Sequence, residues 1–461
     1  MSAPNPAPYY RPYRQRSIFG PLVLISIGVL FLLRNMGIIS GHALGWWFSR
    51  YWPVVLILLG VVRLAEYMWA RQRGYPAPRI GAGLVVFLVF FIMFGLGATH
   101  TAGWNWRGIH DQMGIDDPDF GDFFGWGTNY EFSENFAQPM KPGAQIRVVG
   151  SYGDIKITPS DDGQAHVVVQ KTIRSDSQDS ANNINQNTHP KFDQQGNIWV
   201  MDLTNGGFRN GRYNLVMQLP PDSTVSATTR RGDISVTGVQ GPVEASSDHG
   251  DVTTEQIKGD ANLRLRNGTL RVKDVTGNVE VNGEVDDGNV SGVGGSLEFD
   301  AGYNGQVQLA KIGKQVHFKS VRTDLQIPKL DGEATLGDGN LRVRSASGPL
   351  RLETRSNDIH LEDVTGEVHV QNRNGVVELT GKPPLGSIDI TNVHGGIELT
   401  LPASAGFQLN ATSNSGNIDS EFPGVSVDNS HNDSTARGTV GKGGPDVRLR
   451  ADHGTIQIRK E

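Results

Sequence analysis

The sequence predicts an all-β solenoid, similar to a β-helix with about 18 residues per rung, preceded by a three-helix α transmembrane region. Three observations predict it. Long apolar stretches fall near the N-terminus of the 461 residues, two glycine series then recur with one period, and apolar residues alternate with polar ones between those glycines. The predicted domains are a cytoplasmic tail (1–16), the transmembrane region (17–100), an acidic and aromatic linker (101–144), a β cap region (145–221) and the β-solenoid repeat domain (222–461).

The predicted membrane spans are residues 18–35, 53–70 and 80–99. The third contains no charged residue and has the length of about 20 residues that a bilayer core requires. In the second, Arg63 and Glu66 share a helix face and can pair near one surface of the membrane. The first could also be a signal peptide, but no small-x-small cleavage site follows Leu33.

Arginine placement predicts the orientation of these spans. The positive-inside rule puts arginine-rich segments in the cytoplasm. Before the first span and between the second and third lie Arg11, Arg14, Arg16, Arg71, Arg73 and Arg79, against only Arg34 at the end of the first span and Arg50 between the first two. The sequence therefore predicts a multi-pass protein of the cytoplasmic (inner) membrane, with a cytoplasmic N-terminus and everything after Thr99 extracytoplasmic.

Two interleaved glycine series mark the repeat. The first is Gly232, Gly250, Gly268, Gly288, Gly305, Gly339, Gly375 and Gly395; the second is Gly241, Gly259, Gly277, Gly295, Gly313, Gly332, Gly348, Gly366 and Gly386. Their common interval is about 18 residues, which is the length of one structural repeat unit. The first series skips a step at Thr323 and at Asn357, where the glycine is replaced.

Within one unit, the residues after the first glycine alternate. Ile234 and Val236 point to one side, whereas Asp233, Ser235 and Thr237 point to the other. A single short unit cannot bury its apolar row, so the units must stack and form a continuous core. The residue before the glycine is repeatedly Asn, Asp or His, types that tolerate a left-handed backbone.

The residues before the repeat read differently. Strands are predicted at 146–157, 167–173, 198–203 and 213–219, with a polar loop at 175–196, and this block is expected to cap the first rung. Near the C-terminus, residues 429–445 are poor in apolar side chains and read as a surface loop before a last rung at 447–458.

Two parts of the chain resemble known families. The run GPLVLISIGVLFLLRNMGII (20–39) followed by YWPVVLILLGVVRL (51–64) resembles the LiaI/LiaF-like transmembrane region of bacterial envelope proteins. The segments LPPDSTVSATTRRGDISVTGVQGPVEASSDHGDV (219–252), GPLRLETRSNDIHLEDVTGEV (348–368) and GGIELTLPASAGFQLNATSNSGNI (395–418) resemble the bacterial proposed-adhesin β-strand-repeat family, a domain of unknown function. The resemblances imply a bacterial membrane protein with a link to the cell envelope. They carry over no catalytic or binding residue.

Several residues allow a more specific functional interpretation. Arg231-Gly232-Asp233 spells a cell-attachment tripeptide, but turn geometry accounts for it. His249, His394 and His453 could form a metal ladder, yet they are expected on widely separated rungs. A polysaccharide-acting enzyme could use carboxylates stacked on successive rungs, the candidates being Asp233, Asp251, Glu255, Asp286 and Asp287. The linker aspartates lack the spacing of an EF-hand. We therefore predict no catalytic, cofactor-binding or metal-binding residue and no cofactor.

Composition narrows the function. The chain has no cysteine and a net charge of −6 without a basic cluster in its C-terminal part, so nucleic acid is not a predicted partner. Predicted partners are the lipid bilayer and an envelope polysaccharide or a membrane signalling protein, with self-association also open. The predicted function is a non-enzymatic, membrane-anchored envelope protein that presents an extracytoplasmic β-solenoid for adhesion, scaffolding or envelope-stress sensing. The alternative is a polysaccharide-acting β-helix enzyme.

Overall fold

A computed structural model describes Val54 and residues 128–196, 198–204, 211–355, 357–430 and 433–461. The chain divides into two compact units, one of residues 1–130 with 174–183 and one of residues 131–173 with 184–461. In the first unit the described residues are Val54, 128–130 and 174–183. The strands and the helix lie in the second unit, apart from the parts of three elements that fall within 128–130 and 174–183.

The elements before the regular repeat are seven strands and one helix. They are β1 (Thr128–Pro139), β2 (Gln145–Val149), β3 (Ile155–Pro159), β4 (Gln164–Ser175), α1 (Gln178–Asn187), β5 (Lys191–Gln195), β6 (Ile198–Asp202) and β7 (Gly211–Leu219). Ser177 accepts the amide of Ser180 at the start of α1, as an N-cap residue does. Helix α1 lies within the predicted loop at 175–196, and β1 lies within the predicted linker at 101–144. The domain boundaries stay a prediction.

Ten strands follow at regular spacing. They are β8 (Thr224–Arg231), β9 (Ile234–Thr237), β10 (Val243–His249), β11 (Val252–Ile257), β12 (Ala261–Leu265), β13 (Leu270–Val275), β14 (Val279–Val285), β15 (Gly288–Val293), β16 (Leu297–Tyr303) and β17 (Val307–Ile312). Even-numbered strands pair in parallel with even-numbered ones, and odd with odd, so each rung contributes one strand to each of two sheets.

The register confirms the repeat length. Val243 lies opposite Val225 on one side and Ala261 on the other, a step of 18 residues in each direction. These inward residues are at most 2% exposed, and Phe299 of β16 is fully buried between the two sheets. Burying one such aliphatic side chain contributes about 1.5–3 kcal/mol, which no single rung can obtain alone. The predicted β-solenoid is confirmed.

The glycine at each corner is fixed by a close approach between rungs. Gly232 and Gly250 have φ angles of 139° and 144°. A Cβ atom added to Gly250 would lie 2.2 Å from the carbonyl oxygen of Gly232 on the preceding rung. No side chain fits at that distance, so the periodic glycines follow from the stacking of one corner on the next.

One rung runs backwards. The elements there are β18 (Val316–Lys319), β19 (Thr323–Ile327), β20 (Lys329–Gly337), β21 (Asn340–Ser347) and β22 (Leu350–Thr354). Strand β19 is antiparallel to β18 on one side and to β22 on the other. Strand β20 is likewise antiparallel to β17 and to β21. Thr323 and Asn357, the two positions that lack the glycine, meet here: the Asn357 amide donates to the hydroxyls of Thr323 and Thr354 at 3.3 and 2.7 Å. The missing glycines therefore mark a reversal, which the sequence did not predict.

The remaining strands complete both sheets. They are β23 (Asp358–Asn374), β24 (Val377–His394), β25 (Ile397–Leu401), β26 (Phe407–Ser413), β27 (Ile418–Ser420), β28 (Val425–Ser430), β29 (Asp433–Val440), β30 (Asp446–His453) and β31 (Ile456–Lys460). Strand β30 pairs with β24 on one side and β26 on the other, and β31 lies between β25 and β27. The last rung in sequence is thus inserted between two earlier ones. The predicted loop at 429–445 contains the end of β28 and the whole of β29, which pair with each other, and β29 also pairs with β26.

The two sheets can now be followed from end to end. Sheet 1 runs β1, β4, β7, β3, β9, β11, β13, β15, β17, β20, β21, the first parts of β23 and β24, β25, β31 and β27. Sheet 2 runs β5, β6, β2, β8, β10, β12, β14, β16, β18, β19, β22, the second parts of β23 and β24, β30, β26, β29 and β28. The core lies between them.

The transmembrane part of the predicted fold class is wrong for this structure. The described residues contain one helix, α1, which has 10 residues, and no helix there is long and apolar enough to cross a membrane. Ten helical residues span only about 15 Å, half the thickness of a bilayer core. The predicted spans 18–35, 53–70 and 80–99 lie outside the described residues, except for Val54. The fold class supported is a β-solenoid.

Candidate functional site

One row of outward side chains on sheet 2 lines a groove. Parallel register places Ser226, Glu244, Asn262, Glu280 and Glu298 at the same position of successive strands, followed by His317 on β18. Neighbouring strands are about 4.8 Å apart, so these side chains stand side by side across the sheet. We call this set the acidic row.

Neutral donors bind two of its carboxylates. The Ser226 hydroxyl donates to Glu244 at 2.9 Å, and Glu280 accepts from Asn262 at 3.3 Å and from Asn282 at 2.9 Å. Asn262 lies between Glu244 and Glu280, whereas Glu280 and Glu298 lie directly opposite each other, where like charges destabilise a sheet. The row therefore concentrates negative charge at Glu280 and Glu298, with one unfavourable like-charge pair.

The groove along this row has a volume of about 710 Å³. Among the described residues that line it, four are carboxylates (Glu244, Asp260, Glu280 and Glu298), one is His317, and none is Lys or Arg. A cleft lined by one sign of charge focuses its potential outward, so this surface attracts cationic groups and repels anionic polymers.

The stacked carboxylates that an enzyme could use accept hydrogen bonds from the backbone instead. Asp233 and Asp251 do lie on successive rungs, as the sequence predicted. However, the Asp233 carboxylate accepts the amide of Asp251 at 2.8 Å, and the Asp251 carboxylate accepts the amide of Thr269 at 2.8 Å. Each aspartate thus satisfies the backbone of the next corner, a structural role that fully explains the Gly-Asp pattern.

The other carboxylates of that set behave similarly. Asp287 accepts the amide of Gln306 at 2.8 Å, and Asp286 accepts from the side chain of Asn304 at 3.1 Å. Glu255 lies on β11, in register with Lys273 on β13. In the Arg231-Gly232-Asp233 tripeptide, Gly232 forms the corner and Arg231 lies 5.9 Å from the ring of Tyr152. The structure does not gather these residues into one cleft.

The histidines are placed differently from the sequence prediction. His394 and His453 lie on adjacent rungs, with ring centroids 5.1 Å apart, because β30 is inserted next to β24. His249 lies on a distant rung, opposite Arg231. Within the described residues, no group of three or more His, Cys, Asp or Glu side chains has the geometry to hold a metal ion.

A buried ion pair near the start of the solenoid was missed. Lys171 of β4 is fully buried and forms a salt bridge with Glu134 of β1. Its ammonium group also donates to the carbonyl oxygens of Asn185 at 3.4 Å and Thr188 at 3.2 Å. The sequence pattern indicates this burial, because Lys171 continues the inward row of Val167, Val169 and Ile173 on β4.

Two further side chains surround this pair. His189 lies 3.1 Å from the same Glu134 oxygen that Lys171 contacts. The Tyr213 hydroxyl donates to the Thr188 carbonyl oxygen at 2.8 Å. Burial raises the pKa of Tyr213, and the negative charge of Glu134 raises it further, while the hydrogen bond with Thr188 opposes them. The phenol is therefore held in its neutral form.

With this geometry in place, the chain can be compared with known proteins. Residues 144–459 match the model of the Toastrack DUF4097 family. The chain belongs to the Toastrack family. In this Toastrack protein, residues 18–64 also match the LiaI-LiaF-like transmembrane region, so the protein is membrane-associated. A Toastrack domain together with such a region identifies a membrane-associated envelope protein, and both suspected families are confirmed.

No curated protein matches the Toastrack chain. Among solved structures, it is similar to a proposed cell adhesion protein from Clostridium sporogenes (13% identity, TM-score 0.16), covering 72% of this chain and 100% of that one. It is also similar to a proposed adhesin from Bacteroides fragilis (11%, TM-score 0.22, 72% and 97%) and a proposed lipid binding protein from Parabacteroides distasonis (11%, TM-score 0.16, 71% and 97%). At these scores the likenesses carry no argument about function.

Proposed function

We propose that this Toastrack protein is a non-enzymatic scaffold of the bacterial envelope, which presents the outer faces of its solenoid to other envelope components. The observation that carries the proposal is the engagement of the stacked carboxylates: Asp233 and Asp251 accept backbone amides of the next corner. What the repeat offers to a partner is instead a set of outward rows on two sheets, such as the acidic row. Rows at regular spacing suit binding along a surface.

The charge of the acidic row favours one kind of predicted partner over another. The predicted partners are an envelope polysaccharide and a membrane signalling protein. The groove favours the one that presents positive charge, because its lining carries four carboxylates and a histidine. A basic segment of a membrane signalling protein has that charge. An anionic polysaccharide does not.

The proposal also places the solenoid on the extracytoplasmic side of the inner membrane. Arg11, Arg14 and Arg16 directly precede the matched region at 18–64, which supports a cytoplasmic N-terminus. An extracytoplasmic solenoid then requires the chain to cross the membrane an odd number of times. A protease-sensitive tag after Glu461 should be cleaved in spheroplasts with intact membranes; protection of the tag would contradict this placement.

Site-specific crosslinking in cells tests the scaffold function and identifies the face used. A photoreactive residue replaces Asn262 in the acidic row, and a matched variant replaces Asn289 on sheet 1; both asparagines are exposed. We expect an envelope protein to be captured from Asn262 and not from Asn289. Capture from Asn289 alone would move the binding face to sheet 1. Failure of both, together with release of reducing ends from envelope polysaccharide by the purified protein, would support the enzyme instead.

A further inference from the structure

Strand β1 is attached to the solenoid differently from every rung that follows. It pairs with β4 and lies at the end of sheet 1. Its side chains alternate, with Phe132, Glu134 and Phe136 half-buried and Glu131 exposed on the opposite face. Its inward row therefore contains a carboxylate where the rungs carry aliphatic side chains.

That carboxylate is the counter-charge of Lys171. Lys171 occupies a fully buried position, and its ammonium group has three partners: Glu134 and the carbonyl oxygens of Asn185 and Thr188. Of the three, only Glu134 carries a negative charge. Removing the charged partner of a buried ion pair is strongly destabilising, because the other charge is left without compensation.

Within the described residues, one ring contact of β1 lies near the ion pair and is partly exposed. Phe136 meets Phe192 of β5 edge to face, with ring centroids 6.5 Å apart, and Phe192 in turn packs on Trp199 at 5.2 Å. All three rings are only partly buried. Rows of fully buried aliphatic side chains hold the rungs together, whereas β1 adds to its backbone pairing with β4 the contacts of Glu134 with Lys171 and His189 and a partly exposed ring contact.

The position of β1 in the chain gives this attachment a consequence. In the chain, β1 is the first strand of the β domain after the region matched at 18–64, so it connects that region to the solenoid. We propose that β1 is a releasable strap: the Glu134–Lys171 ion pair holds it on the edge of β4, and its release frees that edge while the rungs stay folded. This inference concerns the β domain alone and does not depend on the proposed binding partner.

Release has a defined structural result. Strand β4 is held on its other side by β7, over the whole run from His166 to Ile173. Without β1, its free side would expose a row of unpaired backbone groups, which is a template for pairing with another strand. The strap therefore controls whether sheet 1 ends in a covered or an open edge.

Hydrogen exchange on the full-length protein in detergent micelles tests the proposal. Glu134→Gln keeps the size of the side chain and removes its charge. We expect amide exchange in β1 and on β4 to accelerate about a hundred-fold or more, with no change in β12 or β14. The matched control, Glu131→Gln on the exposed face of the same strand, should exchange like the parent protein.

A double variant separates the strap from a general loss of folding. In Glu134→Gln with Lys171→Met, the ion pair is absent but no charge is left buried without a partner, so protection of β1 should lie between that of the single variant and that of the parent. Unchanged exchange of β1 in Glu134→Gln would overturn the proposal. So would acceleration spread evenly over the rungs, or a double variant as unprotected as the single one.

Discussion

The imidazole of His453 lies against that of His394, with ring centroids 5.1 Å apart, although the two residues belong to distant segments of the chain. The contact exists because β30 lies between two strands that precede it in the sequence. β30 has β24 on one side and β26 on the other. The C-terminal residues are thus an internal part of the core.

Removal of the inserted rung should therefore disrupt more than the end of the chain. Deleting residues 446–461 removes β30 from one side of β26, which keeps β29 on the other, and removes β31 from β27, so the amides of β26 and β27 that face the deleted strands should lose protection from hydrogen exchange. Deleting Glu461 alone is the matched control and should leave them protected. If β26 and β27 stayed protected in the longer deletion, the inserted arrangement would be wrong.

Alanine substitution at two glycines should separate stacking from local backbone preference. Gly250→Ala places a Cβ atom 2.2 Å from the Gly232 carbonyl oxygen and should cost at least about 3 kcal/mol. Gly339, in the hairpin between β20 and β21, also has a positive φ, of 74°, but nothing lies within 4 Å of its Cβ position. Gly339→Ala should cost only about 1 kcal/mol. Chemical denaturation measures both; equal losses would contradict the stacking account.

The corner aspartates allow a test of their structural role. Asp251→Ala removes the acceptor of the Thr269 amide and should lower stability by about 1 kcal/mol. Asp251→Asn retains an oxygen that can accept the same bond, and it should unfold at nearly the parent temperature in a thermal melt. An asparagine variant as unstable as the alanine variant would show that the charge matters more than the hydrogen bond.

Stability should fall in alkaline solution because of buried tyrosines. Burial raises the pKa of Tyr213 and, with an opposing effect from Arg322, that of Tyr303. The unfolded chain releases these protons near pH 10, whereas the folded chain holds them, so stability is lost as pH rises above about 10. Tyr213→Phe should make the melting temperature less dependent on pH between about 9 and 11. An unchanged slope would argue against the raised pKa.

The rung length and its inward row could be predicted from the sequence because they depend on local, repeated features. Ile234 and Val236 are fully buried as their alternation indicated, and the step of 18 residues follows from the glycine spacing. The register of Asp233 and Asp251 could be inferred in the same way. Their bonds to the backbone of the next corner could not, since period alone does not say which atoms a side chain meets.

The reversal and the insertion were not readable, because both concern which rung lies next to which. Thr323 and Asn357 look like two independent gaps in the glycine series, and their hydrogen-bonded contact appears only after β19 and β20 turn back. His394 and His453 were expected far apart, since rungs were assumed to stack in chain order. The Glu134–Lys171 pair joins residues outside the repeat, and the inward position of Lys171 was its only sequence signal.

The sequence by itself determined the kind of structure: a β-solenoid whose rungs carry aliphatic side chains inside, turning at glycines, in a Toastrack protein with a membrane-associated N-terminal region. Tertiary structure alone decided the order and direction of the rungs and the pairing of β1 with β4 at the end of sheet 1. The physical reason is that every rung offers nearly the same apolar row and the same backbone ladder. Local pattern therefore fixes how a rung is built, and only the assembled core selects its neighbours.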